Sequence, residues 1–82
     1  MINIQSNYKS VLISPKTTAA EVIILVLQLA RIHGNPLDFH LFVVENKVEA
    51  QIPNDIPLAP IYLNLKPEQK IYIKKWITLY NT

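Results

Sequence analysis

The chain has 82 residues, half of them apolar, and a formal charge of +2; this allows one small hydrophobic core and lacks the dense basic stripe of a nucleic-acid binder. With no cysteine, neither a disulfide framework nor a thiolate metal site can form. The opening MINIQSNYKS lacks the basic-then-apolar layout of a secretory leader, and the longest apolar run, Val22 to Leu27, has six residues where a bilayer span takes about 20, so a soluble, cytoplasmic protein is expected.

Ile2 and Ile4 alternate with Asn3 and Gln5, which predicts a short half-buried strand. Ser6-Asn7 is a turn signal, and Tyr8 to Ser14 reads as a second strand with Val11 and Ile13 on one face, closing a hairpin that Pro15 ends. Thr17 or Thr18 can cap the next element, and Glu21 stands in capping-box register to Thr18. A helix is predicted over residues 18–33, stopped by Gly34 with Pro36 beyond. Leu41 to Val44 predicts a strand, Glu45-Asn46-Lys47 a turn, and Val48 to Ile52 a returning strand. Pro53, Pro57 and Pro60 exclude a central strand or regular helix there, leaving a short helical turn within Leu58 to Leu65. Ile71 to Trp76 alternates as a last strand, and we read Trp76 as packing.

The order ββαββ, short helical turn, β defines the expected fold class, α+β, and matches the ubiquitin-like β-grasp roll, in which a mixed sheet wraps one amphipathic helix, although periodicity alone fits other α+β arrangements too. Charge is segregated along it: residues 1–35 carry +2, residues 36–65 carry −3 and residues 66–82 carry +3.

Several segments sharpen this reading. Tyr8-Lys9-Ser10-Val11-Leu12-Ile13 resembles the second strand of Ras-association domains, especially those of Ral guanine-exchange factors and afadin. Thr17 to Ile23 is similar to that family's helix opening, and Leu37-Asp38-Phe39-His40-Leu41 to the start of its third strand. Gln51-Ile52-Pro53-Asn54 resembles its Ile-Pro-polar turn, and Ile71 to Lys75 its final strand. The matches fall in order across residues 8–76, so residues 1–76 are read as the domain and 77–82 as an extension or linker. The resemblance implies binding of a GTP-loaded Ras- or Rap-like GTPase through the second strand and the helix, without catalysis or cofactor, inside a larger signalling protein. It implies contact with the membrane only through the GTPase.

By the same resemblance the binding residues are Tyr8, Lys9, Ser10, Val11, Lys16, Leu29 and Arg31. Lys9 occupies the family's basic position and would steer an acidic effector strand; alternatively it is an ordinary solvated strand lysine. Lys16 could reach an acidic partner but reads chiefly as a loop charge, and Arg31 chiefly as a cation complementing the helix dipole. The helix position that is lysine in strong Ras binders falls on Leu29, and the first strand lacks the arginine those binders carry, so weaker binding is expected. Ile24 and Leu25 fall beside the polar stripe of Glu21, Gln28 and Arg31, so the helix either exposes an apolar patch for a partner or, the reading preferred, is a core helix with one or two stray exposed side chains. A second function class therefore stays open: a module of the same fold that docks intramolecularly or self-associates, with little GTPase affinity.

Other chemistry finds little support. His33, Asp38 and His40 straddle a Gly-Asn-Pro loop and match no helix-borne ligand spacing. No Gly-x-Ser-x-Gly elbow is present, and the single glycine, Gly34, cannot build a phosphate-cradling loop. Lys66, Lys70, Lys74 and Lys75 read as a solvated strand face.

Overall fold

Thr18 starts the one long helix in the computed structural model, which describes residues 1–75. Its side chain accepts the Glu21 N–H (3.3 Å), and the Glu21 carboxylate accepts the Thr18 N–H (2.9 Å), the reciprocal box expected from the sequence. These hydrogen bonds from Thr18 hold the Glu21 carboxyl below its ordinary pKa. A depressed carboxylate pKa stabilises the fold above the unfolded value, and that contribution disappears as pH falls through the folded one. Thr18→Ala is expected to cost about 1 kcal/mol, read as a lower urea midpoint. The penalty should shrink in acid, where protonated Glu21 no longer accepts the bond as a charge.

The helix, α1, spans Ala19–Leu29 and stops short of the predicted residue 33. Ala30 caps it, and Arg31 turns left-handed at φ 56°, so that Arg31 N–H bonds Gln28 C=O (3.2 Å) and Ile32 N–H bonds Leu27 C=O (2.9 Å). This is a Schellman closure with arginine where glycine is usual. Gly34 instead sits in the following loop at φ 152°, beside the Phe39 ring. Because a side chain in the left-handed region is strained, Arg31→Gly should stabilise the domain by roughly 0.5–1 kcal/mol, seen as a raised melting temperature.

The strands are β1 (Ile2–Gln5), β2 (Ser10–Ile13), β3 (Phe39–Glu45), β4 (Val48–Ile52) and β5 (Lys70–Lys75). A short 3-10 turn, Pro36–Asp38, leads into β3, and a one-turn helix, α2 (Ala59–Leu63), precedes β5. β2 is shorter than predicted, because Ser6 closes the hairpin: its hydroxyl accepts from Tyr8 N–H and Lys9 N–H (both 3.2 Å). Tyr8 and Lys9 therefore belong to the turn and not to the strand. Asn46 and Lys47 both adopt positive φ, 49° and 67°, giving β3 and β4 a two-residue turn whose twist matches the strands.

All named pairings are antiparallel, in two sheets: β1-β2 and β4-β3-β5. The single mixed sheet expected for a β-grasp roll is not formed among the described residues. Where β1 would run beside β5, the Asn7 side chain joins the sheets, accepting from Ile73 N–H (2.7 Å) and donating to Ile73 C=O (3.1 Å). The helix seals the interior from one side. Val22, Ile23, Val26 and Leu27 are buried with Ile4, Val11, Ile13, Leu41 and Ile73, each contributing about 1.5–3 kcal/mol. Five strands, one main helix and the short α2 make an α+β fold that agrees with the ubiquitin-like roll in element order, with the sheet divided in two.

The last strand is described only to Lys75; Trp76 and the extension 77–82 lie outside the described residues.

Candidate functional site

Hydrogen-bond alternation decides what β2 can offer. Ser6 N–H bonds Lys9 C=O (3.2 Å), so the pairs that exchange main-chain bonds are every second one from there: Ile4 with Val11 and Ile2 with Ile13. The intervening pairs, Gln5 with Ser10 and Asn3 with Leu12, direct their N–H and C=O groups away from each other. The Gln5 N–H agrees, since it leaves the hairpin to reach the Tyr62 Oη (3.3 Å). Ser10 and Leu12 therefore present their main chains at the outer edge of β2, where no strand pairs among the described residues. An open edge of this kind is a template for strand addition.

Around that edge the seven candidate residues separate. Lys9 and Ser10 are exposed at its start, with Tyr8 45 % exposed in the turn, and Lys16 is exposed in the loop after the strand. Val11 is buried, so its side chain serves the core and cannot meet a partner. The strand's outward side chain is instead Leu12, 58 % exposed. Sequence reasoning left Leu12 out of the candidate set, although the alternation with buried Val11 and Ile13 already carried the signal.

α1 packs beside β2, and its outer face is apolar. Leu29 is 55 % exposed, Ile24 42 % and Leu25 36 %, flanked by exposed Glu21 and Gln28. Leu25 and Leu29 are neighbours one turn apart, with Ile24 exposed on the adjoining flank, so the helix presents the apolar patch that the sequence left as the less favoured reading. Arg31 is exposed beyond the end of the helix, outside its last turn, which places it at the rim of this band and not on the helix itself.

The arrangement suits docking and offers little for chemistry. Among the described residues no charged side chain is buried, the Asn54 Oδ1 is enclosed without a hydrogen-bond partner, and no trio of His, Asp or Glu is placed to hold a metal. His40 is engaged with Gln51 (3.2 Å), and His33 is exposed. No helix among the described residues is long and apolar enough to cross a membrane.

Residues 2–77 match the family model described as the Ras association (RalGDS/AF-6) domain. No individual curated protein matches the chain at a significant level.

Proposed function

This chain belongs to the Ras association (RalGDS/AF-6) domain family, interaction modules that bind small GTPases of the Ras family, and on that premise we propose that it takes the GTP-loaded form at the β2 edge. The open main chain of Ser10 and Leu12 supports this reading most directly: a partner's exposed strand can continue the β1-β2 sheet there. Lys9 and Lys16 flank that edge with positive charge, and residues 1–20 contain no acidic side chain to oppose them. α1 forms the second wall, with Leu29 and Arg31 at the far end of its exposed face. The domain has no catalytic role in this reading and works within a larger cytoplasmic signalling protein, meeting the membrane only through the GTPase.

Titration against Ras-family GTPases loaded with a GTP analogue or with GDP tests it. Binding restricted to the GTP-analogue form, weakening as salt rises, is expected. Equal affinity for both nucleotide forms, or none for any GTPase tried, would remove the reading. A face with three exposed apolar side chains and no lysine favours modest affinity.

A further inference from the structure

The molecule has a second open strand edge, and its charge is opposite to the first. β4 pairs only with β3 among the described residues. The Asn46-Lys47 turn makes Glu45 and Val48 a bonded pair, so by alternation Glu49 and Gln51 direct their main chains outward. β2 offers Ser10 and Leu12 at its edge and β4 offers Glu49 and Gln51, two equally spaced residues each. The β2 edge is flanked by Lys9 and Lys16. The β4 region carries Glu45, Glu49 and Asp55 against Lys47, although Glu49 also pairs with Lys74 of β5.

We infer that these edges pair between copies, the β2 edge of one chain adding antiparallel to the β4 edge of the next in a head-to-tail, open-ended assembly. Ser10 opposite Gln51 and Leu12 opposite Glu49 form the interchain bonds. In that register Val48, 71 % exposed in the single chain, lies against the end of the neighbouring β2, while Ile13 stays in its own core. Like edges are disfavoured: two β2 edges would bring lysines together, and two β4 edges would bring carboxylates together. A heterologous contact generates rings or filaments and not closed dimers. The inference needs only the two edges and does not depend on GTPase binding. If both hold, a bound GTPase caps the chain at β2.

The test is the mass of the full 82-residue chain in solution without any GTPase, by sedimentation or light scattering between about 10 μM and 1 mM. The expected result is a weight-average mass that rises past the dimer with concentration and falls back in high salt. Leu12→Pro and Gln51→Pro each remove one outward N–H without touching the internal ladder, and each should be monomeric. Their equimolar mixture keeps one live edge of each kind and should stop at the dimer. Lys9→Glu changes only an exposed side chain, so it reports even where a proline variant misfolds; self-association about tenfold weaker is expected. A wild-type chain that stays monomeric to 1 mM, or stops at a dimer, overturns the inference. So does a folded proline pair whose mixture stays monomeric.

Discussion

Lys9→Glu should weaken binding to a GTP-loaded Ras-family GTPase by roughly 1–3 kcal/mol, about 5- to 150-fold in Kd, while leaving the fold intact. The magnitude follows from placing a carboxylate against an acidic effector strand, where attraction becomes repulsion at close range. The fold should survive because Lys9 is exposed and its role in the turn is carried by main chain: its N–H and C=O both bond Ser6. The matched variant is Leu29→Lys. At 55 % exposure Leu29 gives little burial energy, and a lysine there can hold its ammonium in water with its stem along the helix. It should therefore strengthen binding, by about 3- to 10-fold, without lowering the melting temperature. Titration of both proteins against the same GTPases, beside thermal melts, decides the matter. If both stay folded and neither changes affinity, the β2 and α1 surface is not where the GTPase sits.

The parts of this surface that sequence revealed are those written in side-chain periodicity. Val11 and Ile13 alternating against Ser10 and Leu12 gave β2 its inner and outer faces, and Glu21 in capping-box register to Thr18 placed the start of α1 to within a residue, with Thr17 the other cap candidate. The ends of elements were harder to read because hydrogen bonds within a turn decided them. Ser6 drew Tyr8 and Lys9 out of the strand, and a Schellman closure ended α1 at Leu29 although the glycine stands five residues later. Pairing partners across the sheet were less legible still. Nothing local in Asn7 announces that it meets Ile73, 66 residues away. The exposure of Leu29 was likewise undecidable from a helix apolar on nearly every side; it depended on where the two sheets left room around α1.

That long-range clasp makes Asn7→Ala the substitution expected to cost most among the exposed positions. Ile73 is paired through its side chain with the core and through β5 with β3, but Phe42 with Tyr72 and His40 with Lys74 are the bonded pairs of that ladder. The Ile73 main chain therefore points the other way, toward the β1-β2 hairpin. Asn7 satisfies both of its groups at once. Removing the amide leaves a partly buried N–H and C=O to find water, a loss of about 1–3 kcal/mol. Ile4 and Ile73, both fully buried, should still hold the hairpin in contact, so a weakened native state is expected and not an unfolded one. Urea unfolding would read the loss. Amide exchange would locate it, with protection falling most at Ile73 and less in β3. Tyr62→Phe is the control: it removes only the longer 3.3 Å bond to the exposed Gln5 N–H and should change stability by less than about 0.5 kcal/mol. Because the hairpin so held is the one that carries Lys9, Ser10 and Leu12, Asn7→Ala should also weaken docking at the β2 edge, although Asn7 itself need not touch the partner. If stability is unchanged and the Ile73 amide stays protected, some contact other than this clasp joins the two sheets.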